Sequence, residues 1–363
     1  MKKLALSIIV LTLFASASFA VSYGFGARNI AMGGCGIATA NDITAAYFNP
    51  AGLMYGPGIF EAQMFAGGTL AGISSLQDML TSGDDFIKDN FDEDIDFPVS
   101  ISGGLGLSFN KVGLSAFGLG NALINKPPAN QQKFSTFALI NGNVPLTLGS
   151  TFATPGLPIA SLSVGVNLKA IMEQYISLSA AAGVGKKVEM SGSGFGFDIG
   201  VQTKITPLIS LGAVIRNLSA STNRVTKSTD ITVDTSGQIT DGTETEKKSS
   251  YTPAPETGVG VGVVVPITGT LIACDLENYS YPDNNNVNKS TAFTDTHIGI
   301  EQGFFFNLVM LRLGYFSYGA GEDNFYTYGM GINAGPASIN LAAANSQKDF
   351  QNSIAMTQIG IAF

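Results

Sequence analysis

Tryptophan is absent from the 363 residues, histidine occurs once and cysteine twice. So few imidazoles and thiols exclude a zinc cluster, a disulfide framework and most His-dependent catalysis. Charge is also scarce. Asp, Glu, Lys and Arg make up 13% of the chain, roughly half the share of an average globular protein. The charges present sum to −8, which argues against a nucleic-acid partner. Beyond the N-terminus no apolar run approaches the roughly 18–20 residues that a transmembrane helix needs. Yet mean hydropathy is +0.25, too apolar for a disordered chain. What is abundant is Gly (44) and Phe (24), spread through short alternating segments. The length admits two domains or one large β domain.

Residues 1–20 read as a secretory signal peptide. Lys2 and Lys3 form a basic start, residues 4–14 an apolar stretch, and Ser18-Phe19-Ala20 a small-x-small cleavage site. A mature chain beginning near Val21 would leave the cytoplasm. In that oxidising space Cys35 and Cys274 are the one pair available for a disulfide.

An exported, apolar chain without helical spans must satisfy its backbone in lipid by closing a β-barrel. The alternation supports this. Val99, Ile101, Leu105, Leu107 and Phe109 share one face, while Ser100, Ser102, Gly104, Gly106 and Ser108 share the other. Residues 162–169 and 195–205 repeat the pattern. A soluble sandwich also alternates, but it rarely gives Gly and Ser its solvent face, whereas a barrel lumen accepts them. The fold class expected is all-β: a transmembrane antiparallel β-barrel of about fourteen strands over residues 57–363.

The chain ends on an alternating strand with Ile359, Ile361 and Phe363 on one face. This pattern resembles the signal read by the outer-membrane barrel assembly machinery. Placing that end in the periplasm orients the barrel. Short turns are expected near 110–111, 154–158, 205–207, 266–269, 304–307 and 335–336. Long external loops are expected near 73–97, 122–143, 173–193, 219–255, 281–293, 318–324 and 346–352, with residues 133–141 open to being a further strand. Asp198 and Arg216 fall on lumen parity and directly opposite each other about Pro207. Glu301 and Arg312 do the same about Phe306–Asn307. Glu61, Lys169, Asp275, Glu277 and His297 are further lumen candidates. These charges either brace a filled lumen or select solutes.

Residues 23–55, YGFGARNIAMGGCGIATANDITAAYFNPAGLMY, precede the first strand and carry almost no charge. The segment resembles the N-terminus of the long-chain fatty acid transporter (FadL) superfamily, which includes PorV-type and TraF-like members. The matching positions are Gly26, Ala27, Arg28, Met32, Gly33 and Gly34, then Asp42, Ala45, Asn49, Pro50, Ala51, Gly52 and Leu53. The resemblance implies fourteen strands, an outer-membrane location and a hatch folded into the barrel. Residues 21–56 would be that hatch, with Gly26, Arg28, Gly33, Gly34, Asp42, Asn49, Pro50 and Ala51 as its gating positions. A Gly-rich, nearly charge-free segment packs inside a barrel without burying ions. The alternative is a periplasmic arm that merely starts the first strand.

Two functions follow. A passive carrier of small hydrophobic compounds would place an apolar site between hatch and wall and a break in the strand ladder near the hatch. A PorV-like role in protein secretion or surface attachment would have a sealed wall and a secretion-system protein as partner. The polar loop 219–255 departs from the apolar loops of the fatty acid carriers. The first loop has apolar spacing (Leu76, Met79, Leu80, Phe86, Ile87, Phe91) suited to a platform or a lid. No catalytic residue, metal site or cofactor is expected. The clusters GFGARN and GGCG lack the strand–helix frame of a dinucleotide loop. Asp84-Asp85 and Asp283-Asn284-Asn285-Asn286 read as solvated loop tips rather than Ca²⁺ ligands.

Overall fold

The computed structural model describes residues 25–56, 58–70, 95–126, 133–154, 161–181, 183–233, 239–283, 286–319 and 323–363. The signal-peptide segment and the apolar positions of the first loop lie outside these residues.

Among the described residues, sixteen strands form one antiparallel sheet. They are β1 (Phe60–Thr69), β2 (Ile95–Phe109), β3 (Val112–Lys126), β4 (Lys133–Phe152), β5 (Ser161–Ala181), β6 (Val184–Thr206), β7 (Ile209–Arg216), β8 (Ser221–Val233), β9 (Ile239–Tyr251), β10 (Glu256–Val264), β11 (Leu271–Asp283), β12 (Asn286–Phe304), β13 (Val309–Ser317), β14 (Asn324–Ala334), β15 (Ala337–Ser346) and β16 (Ile354–Ala362). Fourteen of them, β1–β7 and β10–β16, close into a ring, with β1 pairing β16 and β7 pairing β10. The remaining two, β8 and β9, form a hairpin that pairs with one end of β6.

The exterior is apolar and the interior polar. Leu105, Leu107, Leu168, Ile298, Leu313 and Ile359 are exposed, while Glu61, Asn167, Lys169, Asp198, Arg216 and Arg312 are buried. That order reverses a soluble protein and fits a barrel whose outer face meets lipid. This is a barrel membrane protein.

Both barrel ends meet at the short-turn side. Phe363 N–H donates to the Phe60 carbonyl at 2.8 Å, and Glu61 lies opposite Ala362. Asn110 and Lys111, both with positive φ, make the two-residue turn between β2 and β3, whose twist suits a hairpin. Exposed Phe109, Phe152, Phe305, Phe306 and Phe363 ring this end, as aromatics do where a membrane meets water.

The expected external loops at 122–143, 173–193, 219–255 and 281–293 are corrected: they are largely strand. β3 runs to Lys126 and β4 starts at Lys133, so residues 133–141 are part of β4. β5 ends at Ala181 and β6 begins at Val184. Residues 221–233 and 239–251 are the β8–β9 hairpin, and β11 and β12 extend to Asp283 and from Asn286. The cause is length. β4, β5 and β6 have 20, 21 and 23 residues, whereas crossing the hydrocarbon takes about 9–11. Roughly ten residues per strand stand above the lipid, where neither face must be apolar. Alternation fades there, but Thr, Ser and Val keep their fit to a pleated ladder.

Candidate functional site

Residues 25–56 lie inside the ring as two short helices, α1 (Ala27–Ala31) and α2 (Ala45–Phe48), and a 3₁₀ turn, Pro50–Tyr55. Ala27, Ile30, Ile37, Ile43, Phe48 and Leu53 are essentially fully buried. The helices are too short to stand alone, so the wall holds them.

Arg28 reaches the wall in a fork. Its Nε and Nη2 donate to the two carboxylate oxygens of Glu301 at 2.9 Å each, and Nη1 donates to Asn41 Oδ1 at 3.0 Å. Arg312, in register with Glu301, donates from Nε to the same carboxylate at 2.7 Å and from Nη1 to Asn340 at 2.9 Å. Asp275 Oδ2 accepts from the backbone N–H groups of Gly36 and Ile37 at 2.7 and 2.8 Å. His297, opposite Asp275, holds Nδ1 2.7 Å from the Gly33 carbonyl, so its ring N–H donates there. Gly26, Gly33 and Gly34 all have positive φ.

Asn49 fixes the hatch turn. Its Nδ2 donates to the Ile37 and Val201 carbonyls at 2.8 and 2.9 Å, and its Oδ1 accepts from Ala51 N–H at 3.1 Å. Pro50 opens the 3₁₀ turn, where its missing N–H costs nothing. A Cβ on Gly165 would lie 2.3 Å from Ala51 N, so only glycine admits the turn there. Asp42 accepts from Thr44 N–H at 2.9 Å and from the Thr44 hydroxyl, starting α2.

The expected opposition of Asp198 and Arg216 holds in register but not in pairing. β6 and β7 run Ile199↔Ile215, which brings the two positions to the next rung. Asp198 instead binds Lys169 at 2.7 Å and accepts from Asn167 at 3.0 Å. Arg216 binds Glu277 at 2.8 Å and donates to the Tyr47 carbonyl at 3.0 Å. Asp198 thus turns to β5, while Arg216 turns to the hatch and reaches across β10 to Glu277 on β11, with its register partner Glu256 3.6 Å away. Glu61 accepts from Gln63 at 2.6 Å. Cys35 and Cys274 are both free thiols. Ile359, Ile361 and Phe363 are exposed on the outer face.

Sequence reading missed Gln202, Thr327 and Gln358, which bind hatch backbone at Ala38, Ala31 and Arg28. It also missed Glu173, fully buried and forked to Arg224 at 2.7 and 2.9 Å. Lumen parity was the signal that marks them, since Gln358 alternates with Ile359 and Ile361 on β16.

An aromatic cluster joins hatch to wall. Phe25 and Tyr47 of the hatch pack on Phe65 (β1) and Phe117 (β3), with ring centroids 4.7 Å apart for Phe25–Tyr47, 5.3 Å for Phe25–Phe117 and 5.9 Å for Phe65–Phe117. Beside it the β3–β4 ladder lapses. Pairing runs Gly113↔Thr147 and Leu114↔Leu146, then resumes at Phe117↔Asn143. Ser115–Ala116 and Val144–Pro145 are skipped, and Pro145 has no N–H to give. One step further, on the lipid-facing parity, Gly103, Gly118 and Gly142 stand side by side on β2, β3 and β4. Those three positions carry no side chain of their own, and each glycine is buried.

No protein-family model matches this sequence, and no curated protein matches it. Solved structures do match in shape. The Ralstonia pickettii toluene transporter TbuX has a TM-score of 0.64 at 12% identity, covering 94% of this chain and 98% of its own. The P. putida toluene transporter TodX scores 0.62 at 12% identity, with 94% and 99% covered. A Pseudomonas aeruginosa FadL homologue scores 0.60 at 11% identity, with 96% and 99% covered. The chain has the FadL-type fold. At such identities the likeness establishes the fold alone, and function rests on the site itself.

Proposed function

We propose that this chain is an outer-membrane carrier for the passive uptake of small hydrophobic compounds. The compound binds between hatch and wall at the Phe25–Tyr47–Phe65–Phe117 cluster and leaves sideways through the β3–β4 lapse. The carrying observation is that lapse: two skipped rungs against the aromatic cluster, flanked by a course of glycines. The similarity to two toluene transporters agrees with it. A barrel serving only as a secretion partner would have no use for unpaired rungs beside such a cluster. The hatch, held by Arg28, Asp275 and His297, closes the straight path. Ile359, Ile361 and Phe363 then serve as the assembly signal.

The test is to seal the lapse. Ala116 and Val144 face outward on the skipped rung, opposite each other by the flanking register. Facing positions of an antiparallel pair lie about 4.5–5.5 Å apart at Cα, within disulfide reach. In proteoliposomes the Ala116→Cys, Val144→Cys protein should pass toluene when reduced and lose most of that flux when oxidised. Equal flux in both states would sink the sideways route.

A further inference from the structure

A bare hydrocarbon would not use everything this site offers. Above the aromatic cluster the next inward position on β3 is Leu119, paired with Asn141 on β4. Asn141 is 1% exposed, and among the described residues its Nδ2 finds no acceptor. The neighbour across on β5 is Glu173, but that carboxylate already accepts from Arg224 Nε, Arg224 Nη2 and the Thr222 hydroxyl. On the other side of Phe117, at the skipped rung, the Ser115 hydroxyl is also buried without a partner. Buried polar groups are nearly always satisfied, so each exception calls for an explanation, and leaving a donor unmet is costly. Here two unmet groups bracket one aromatic side chain, and both lie on the proposed path.

We infer that the compound carried has an apolar, ring-sized body and one hydrogen-bond acceptor oxygen, which the Asn141 amide meets while the body lies on Phe117. The class is small aromatic ketones, esters, ethers and phenols, taken in preference to plain alkylbenzenes. Ser115 offers the oxygen its next station at the lapse, so the polar end stays bonded as the body moves outward. This rests on the carrier reading and adds the polarity of the cargo to it.

The experiment compares two probes of similar size and shape, acetophenone and ethylbenzene, in equilibrium dialysis against the full-length barrel in detergent. The wild-type protein should bind acetophenone about five- to tenfold more tightly, the factor of roughly one hydrogen bond. Asn141→Leu should bring that ratio to near one, as should Asn141→Thr, which is too short to reach the same oxygen. Retention of the folded-barrel gel mobility reports that each variant is assembled. The wild-type ratio decides by itself should a variant fail to assemble. Equal binding of the two probes by the wild-type protein, or a preference that survives both variants, overturns the inference and leaves the carrier reading standing. Binding of neither probe overturns both.

Discussion

Arg28 and Glu301 lie 273 positions apart in the chain and are joined by two parallel hydrogen bonds of 2.9 Å. The same carboxylate also holds Arg312 at 2.7 Å. One anion therefore serves two guanidinium groups, one from the hatch and one from the wall, all three side chains being largely buried. Glu301→Leu strands both cations. Removing one member of a buried ionic group costs about 3–5 kcal/mol. Unfolding in denaturant should show that loss, and limited proteolysis should begin to cut within residues 25–56. Arg28→Met leaves Glu301 paired with Arg312 and should cost much less. Equal losses from the two substitutions would show that the carboxylate is not the shared anchor.

Gly33 ends α1 where the hatch touches two strands at once. Its φ is +67°, and a Cβ there would lie 2.3 Å from the Ile298 carbonyl oxygen and 2.5 Å from that of Tyr315. Both are backbone atoms of paired wall strands, so neither can yield. Gly33→Ala should lift the end of α1 off β12 and β13 and break the Gly33–His297 hydrogen bond, at a cost of about 1–3 kcal/mol. Histidine occurs once in the chain, so its imidazole gives a single NMR signal that reports this contact. An unchanged signal in the alanine variant would refute the account.

Much of this was legible in the sequence because lipid enforces alternation. Leu105 and Leu107 must face out, so Gly104 and Gly106 face in, and the same parity marks Lys169, Asp198, Glu301 and Arg312 as lumen residues. The hatch was legible through its resemblance to a known segment, not through periodicity. What lay beyond reading was of two kinds. Above the lipid the constraint ends, so the upper halves of β5 and β6 and the polar β8–β9 hairpin carry no apolar stripe to announce them. Inside, parity gives the face but not the partner. Nothing in the spacing shows that Arg216 reaches Glu277 rather than Asp198, because each lumen charge has a neighbour on both sides and a hatch beneath. A break near the hatch follows from the carrier reading and a sealed wall from its alternative; the spacing chooses neither, and the place of the β3–β4 lapse depends on the pairing of Pro145, which only the register supplies.

The partner choice of Asp198 is measurable. By register it faces Arg216; by contact it belongs to Lys169 at 2.7 Å, with Asn167 at 3.0 Å and the Asn217 N–H at 2.9 Å completing its shell. Arg216 is engaged by Glu277, by two hatch carbonyls, those of Tyr47 and Phe48, and by Glu256 at 3.6 Å. A double-mutant cycle separates the two arrangements. Lys169→Met with Asp198→Asn should show a coupling of about 1–3 kcal/mol, the range for residues in direct contact. Asp198→Asn with Arg216→Met should couple by clearly less, since no direct contact joins the two side chains. The stakes reach beyond stability. Arg216 holds the backbone on which Tyr47 rides, and Tyr47 is half of the tightest ring pair in the hatch–wall cluster, 4.7 Å from Phe25. If Arg216 belongs to Glu277, then Glu277→Gln should weaken aromatic binding while Asp198→Asn leaves it nearly intact. The reverse order would return Arg216 to Asp198 and detach the charge pair from the aromatic site.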